Sequence, residues 1–177
     1  MPKVEVVDGL SDTYGLRVHY FPETQDQDPE GRFCVRVDSD DGEWFGLFAE
    51  GARRDGAHGC WPVPGGDRHL VCAKGAPYLL DPGPEAAEEL KATVLRVFPR
   101  DDALVCATST EVFALRKDRV LWRTRRIALD GLTADLVGDE LVGTATTPEG
   151  VAAPFRVDMK TGAITGGWEP RRRDEMG

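Results

Sequence analysis

Histidine and serine are scarce: the 177 residues hold His19, His58 and His69, and Ser11, Ser39 and Ser109. There is no G-x-S-x-G nucleophile motif, and nothing arranges these few residues as a Ser-His-Asp triad. A phosphate-cradling glycine loop is also missing, since "PGGDRH" does not follow the Walker pattern and "ITGGWE" does not lead into a helix. Acids show the opposite extreme, with 31 Asp and Glu, so nothing selects two of them for acid–base work. No apolar run approaches the roughly 20 residues needed to cross a bilayer. The opening "MPKVEVVDGL" has neither the apolar core nor the cleavage site of a secretory signal. A cytoplasmic location is expected, with no membrane partner, and Cys34, Cys60, Cys72 and Cys106 are expected to be reduced thiols.

The residues present describe a folded β protein. An apolar fraction of 41% and a charged fraction of 30% are those of a globular chain, and 177 residues suit one domain with a substantial core. The net charge is −9, from 22 Lys and Arg against 31 Asp and Glu. Such a balance argues against a nucleic-acid partner and suits a basic protein partner. Strand-like runs recur throughout, punctuated by Gly, Pro and Asp. "RFCVRV" and "EWFGLFA" flank an Asp-Gly pair, the strongest short-range hairpin signal, so Arg32–Ala49 is expected to be a hairpin. One helix is expected near 84–91, where "PEAAEELKA" combines an early proline with strong helix formers.

"LVCA" occurs twice, at Leu70 and at Leu104, each time after a Pro-x-x-Asp approach and before a second apolar run. A weaker copy, "ELVGTA", places Leu141 37 residues after Leu104, and "RFCVRVD" places Cys34 38 residues before Cys72. Spacings of this size with strand pairs inside each unit predict stacked or radial β-modules. The expected fold is all-β, a small propeller-like array of about four antiparallel modules. An N-terminal β segment (1–50) precedes repeats over 60–167 and a tail at 168–177. A closed antiparallel barrel or a sandwich is the alternative. Alternation puts Leu70 with Cys72, and Leu104 with Cys106, on one inward face.

Within the repeats, "VFALRKDRVLWRTRRIALDGL" followed by "FRVDMKTGAITGG" resembles the blades of PQQ-like bacterial β-propellers. Such blades read V-F-A-L, a polar turn, V-L-W-R and later V-D-x-x-T-G. The resemblance covers about residues 60–167 and implies fold alone. The quinone-dependent enzymes need more blades and dedicated ligands that have no counterpart here, so no cofactor is expected.

Several residues invite chemistry. His58, Cys60, His69 and Cys72 lie within 15 residues, but His69-x-x-Cys72 in one strand puts its two side chains on opposite faces. Core cysteines beside surface histidines are expected, with a zinc site as the alternative. "DSDDGE" begins like a calcium loop yet has Gly42 where an oxygen ligand belongs, and reads as a hairpin turn. In "WRTRR", Arg123 and Arg125 would share one strand face, expected in solvent with Trp122 in the core; guanidinium forks offered to a carboxylate are the alternative, while Arg171–Arg173 read as a solvated tail. Trp61, Arg123, Arg125 and Asp130 are the binding candidates. The favoured function is a non-catalytic protein–protein interaction module, such as a small bacterial immunity or accessory protein. A ligand-binding or enzymatic module with Arg125, Asp130 or His69 at a central pocket is the alternative, and free strand edges would also permit a self-paired dimer.

Overall fold

The computed structural model describes residues 2–10, 14–23 and 31–169. The Arg171–Arg173 tail and Ser11 lie outside them. Among the described residues the chain is all-β, with four sheets of four strands each and no helix, consistent with the expected four β-modules. Each sheet ends in two edge strands, so none closes into a barrel. By contact the chain divides into two compact units, Met1–Val94 with Arg116–Asp118, and Leu95–Leu115 with Arg119–Gly177.

The first unit holds two sheets. One comprises β1 (Lys3–Val7), β2 (Val18–Phe21), β3 (Phe33–Ser39) and β4 (Gly42–Phe48) in the order β1-β3-β4-β2. The expected hairpin is β3–β4, with Ser39 opposite Gly42 across an Asp40-Asp41 turn. β2 lies parallel to β4, which sets this N-terminal sheet apart from the others. The second sheet comprises β5 (Gly59–Pro62), β6 (His69–Ala73), β7 (Ala76–Asp81) and β8 (Ala86–Glu89) in chain order. Val35, Val37, Trp44 and Phe48 of one sheet pack with Val71, Ala73, Tyr78 and Leu80 of the other into one core.

Trp44 is fully buried in that core, and its indole N–H finds no acceptor among the described residues. An unmade buried hydrogen bond already carries its desolvation cost in the folded state. Trp44→Phe should therefore lower stability by less than about 1.5 kcal/mol, because lost area is offset by removal of the orphaned donor. Urea unfolding followed by circular dichroism checks this, and a loss above about 3 kcal/mol would contradict it.

The second unit also holds two sheets. β9 (Val94–Pro99), β10 (Leu104–Thr108), β11 (Val112–Arg116) and β12 (Arg119–Arg123) form one, and β13 (Leu132–Val137), β14 (Glu140–Thr146), β15 (Ala152–Asp158) and β16 (Ile164–Gly166) the other, with strands adjacent in chain order. Val105, Ala107, Val112 and Ala114 meet Leu132, Leu141, Phe155 and Val157 in their common core.

The "LVCA" repeat is the second strand of its sheet each time: β6, β10 and, for the weaker copy, β14. β3, which carries Cys34, also stands second in its sheet. The single inward face expected from alternation is corrected, because Leu70, Val71, Cys72 and Ala73 are all buried, as are Leu104, Val105, Cys106 and Ala107. An interior strand covered on both faces carries apolar residues at successive positions. In β14 the cysteine position is Gly143, where an added Cβ would meet the Thr133 carbonyl oxygen.

The helix expected at 84–91 does not form. Pro82 to Glu85 make a turn that ends with Glu85 at φ 55, a left-handed conformation that admits no helix start, and Ala86–Glu89 pair with Tyr78–Asp81 as β8. Helix propensity here favours the alternative by only a few tenths of a kcal/mol per residue, less than β7 gains from a partner for its backbone groups.

Candidate interaction surface

Acidic charge is unevenly shared between the units. The first carries eleven Lys and Arg against nineteen Asp and Glu, net −8; the second carries eleven against twelve, net −1. Two exposed segments of the first unit concentrate it: the β3–β4 turn with Asp38, Asp40, Asp41 and Glu43, and β8 with Glu88 and Glu89. Glu88 and Glu89 form no ion pair among the described residues, whereas Glu43 lies 3.7 Å from Arg36.

Glu85, at the start of β8, is held rather than offered. Its side chain is only 11% exposed and forms an ion pair with Arg17. His19 Nε2 lies 2.8 Å from its other oxygen, within ion-pair range but outside hydrogen-bonding geometry. The His19 ring meets Trp44 edge-on at 5.3 Å. A left-handed non-glycine residue costs about 1–2 kcal/mol, which this Arg17–Glu85–His19 cluster over-determines.

The sequence candidates fall in separate places. Trp61 is half-buried on the edge strand β5, its ring lying against Gly59. Arg123, at the end of β12, stands 3.6 Å from Glu111 and sits over the Phe113 ring at 5.5 Å. Arg125 is committed to backbone: it donates to the Trp168 carbonyl at 2.7 Å and the Gly166 carbonyl at 3.2 Å. The two arginines thus make no shared guanidinium face. Between them Thr124 is buried, its Oγ1 accepting from the Val112 N–H at 3.0 Å. Asp130 is exposed just ahead of β13.

The His/Cys cluster is spread out in the same way. Cys60 pairs across with Val71 and Gly59 with Cys72, so the two thiols face opposite sides of their sheet. His58 Nδ1 accepts from the Lys74 N–H at 3.2 Å, and His69 Nδ1 lies 3.2 Å from the Asp67 carbonyl. Burial holds the His69 pKa below its ordinary value, opposed by Asp67. Among the described residues no group of three or more His, Cys, Asp and Glu is placed to hold a metal ion.

Among the described residues, cavities mark the surface of both units. A groove of about 500 Å³ in the first unit is lined by Asp8, Arg32, Glu50 and His58, and Glu50 is already paired with Lys74. A second, about 270 Å³, lies among turns of the other unit, where Arg100 bonds Asp139 at 2.7 Å. A third, about 250 Å³, follows β7 and β8. None of the three is lined by Arg125, Asp130 or His69.

No protein-family model matches this chain, and no curated protein is significantly similar to it. The residues behind its resemblance to propeller blades do have a structural task. Asp158 Oδ1 accepts from the Thr161 N–H and hydroxyl, both at 2.7 Å, and from the Lys160 N–H at 3.0 Å. These bonds hold the Asp158 pKa below the usual carboxylate range. The turn ends at Gly162, φ 72, against which the Trp122 ring lies so closely that a Cβ would meet it at 2.6 Å. The Trp of "VLWR" and the Gly of "DMKTG" are therefore one packing contact. Sequence reasoning missed Glu85 and β8, whose only advance signal was the "DPGPE" turn.

Proposed function

We propose that the protein is a non-catalytic, cytoplasmic protein-binding module whose first unit docks a basic partner. The observation that carries this reading is the placement of −8 of the net −9 charge on that unit. A surface with a marked excess of one sign raises the encounter rate with an opposite charge and disfavours wrong partners. Arg125 is committed to carbonyls, Glu85 to Arg17 and Glu50 to Lys74, which leaves the exposed carboxylates of the β3–β4 turn and of β8 as the charges offered to a partner. Neutralising a basic protein is the task of a small bacterial immunity or accessory protein. We read the modules as PQQ-like repeats, a reading supported by the Trp122–Gly162 contact and the Asp158 cap.

Affinity capture from the source lysate tests the proposal. The expected result is a partner of basic pI retained at low ionic strength and released at about 0.5 M salt, where the screening length is only a few ångströms. Recovery of nothing at low salt, or of a partner indifferent to salt, overturns it. The groove at Asp8, Arg32 and His58 favours a second reading, small-molecule binding. A ligand that protects His58 from carbethoxylation would favour it over the first.

A further inference from the structure

We propose that β8 is an open docking edge that accepts an extended, basic segment of a partner protein as a fifth strand of its sheet. The proposal deepens the interaction reading above and rests on it.

Among the described residues β8 is the last strand of its sheet, with only β7 as a neighbour. Just beyond the Tyr78–Glu89 pair, the Leu90 N–H donates to the Pro77 carbonyl at 2.9 Å. Bonded and non-bonded pairs alternate along an antiparallel ladder. Ala86 and Glu88 therefore bond inward to β7, while Ala87 and Glu89 direct their N–H and C=O groups away from it. This open row is what an added strand pairs with.

Side chains supply the selectivity. The cavity of about 250 Å³ lies on the face where Leu79 stands opposite Glu88 and Asp81 opposite Ala86. Alanine at 86 leaves this space unfilled, with Leu79 and Pro84 as apolar lining. Glu88 and Asp81 provide carboxylates there, and Arg68, 3.2 Å from Asp81, is the cation that joins them. A Lys or Arg side chain fits both parts, its methylene stem along Leu79 and its charge toward Glu88. Glu89 on the other face matches a second basic residue of the same strand. Acidic side chains would also deter a second β8, since like charges across a strand pair are destabilising.

A fluorescently labelled octapeptide of alternating lysine and valine is the probe, read by anisotropy at low salt. Ala87→Pro removes an outward N–H and no ladder bond, a substitution tolerated on edge strands, so the fold should persist by circular dichroism. It should weaken binding about tenfold or more, because the added strand loses a main-chain bond and its path. Glu88→Lys with Glu89→Lys should weaken binding about tenfold or more and flatten its salt dependence. Asp40→Lys with Asp41→Lys, in the other acidic segment, should change it less than about threefold. Binding that survives Ala87→Pro but is lost with Asp40→Lys and Asp41→Lys overturns the edge while leaving the acidic reading intact. A free protein that dimerises until Ala87→Pro is introduced would assign the edge to a second copy and overturn the proposal. Failure of the unmodified protein to bind the probe also overturns it, whereas the broader reading stands or falls on the capture experiment.

Discussion

Gly143→Ala is expected to destabilise the second unit by at least ~3 kcal/mol, a large share of the roughly 5–15 kcal/mol that keeps a domain folded. Gly143 stands in β14, and an alanine Cβ would lie 1.8 Å from the Thr133 carbonyl oxygen and 3.0 Å from the Ala134 Cα. Both atoms belong to the backbone of β13, which is bonded to β14 along six residue pairs. Neither can withdraw without breaking that ladder. Gly138→Ala is the control: its φ is +63 but nothing lies within 4 Å of the added Cβ, so the cost is the conformational one alone, about 1–2 kcal/mol. Urea unfolding of the two variants should separate them clearly. Equal midpoints would mean that β13 and β14 can spread, against the packing described here.

Alkaline pH is expected to unfold the protein well before pH 12. Burial pushes the Cys34 thiol up to about 11 and the Cys60 thiol up to about 12, and raises Cys72 further, with Cys60 adding to it. Burial also pushes the Tyr78 hydroxyl up to about 12, with a contribution from Glu89 that Arg32 opposes. In the unfolded chain thiols ionise near 8.5–9. The folded form keeps its protons longer, so the stability linked to these groups is complete below pH 9 and is lost as pH rises through the folded pKa values. Each pH unit in that window costs about 1.4 kcal/mol per buried thiol, so Cys34 accounts for roughly 2–3 kcal/mol by pH 11, and Cys72 for a similar loss. A titration followed by circular dichroism should show unfolding begin near pH 10, and Cys34→Ala with Cys72→Ala should move its onset upward. A protein still folded at pH 11.5, with thiols as reactive as in urea, would refute this account.

Hairpin, repeats and core were legible because they depend on local pattern. Asp41-Gly42 between alternating runs announced β3–β4, and "LVCA" marked a strand buried along its length in two of the modules. What escaped depends on partners distant in the chain. β8 has helix formers in a place where β7 requires a neighbour. Arg125 looked available because nothing local shows that the carbonyls of Gly166 and Trp168, over forty residues later, will meet it. Glu85 gains its fixed position from Arg17 and His19, which reach it from the opposite end of the unit's sequence. The parallel pairing of β2 with β4 leaves no local mark either.

That parallel pairing also sets an order of assembly. Among the described residues β2 (Val18–Phe21) has β4 as its one neighbour, and β1 has only β3, so both early strands wait for the hairpin spanning 33–48. On a chain emerging from the ribosome N-terminus first, the earliest two strands thus remain without partners until some thirty further residues have appeared. The opening of this chain is made first and docked later.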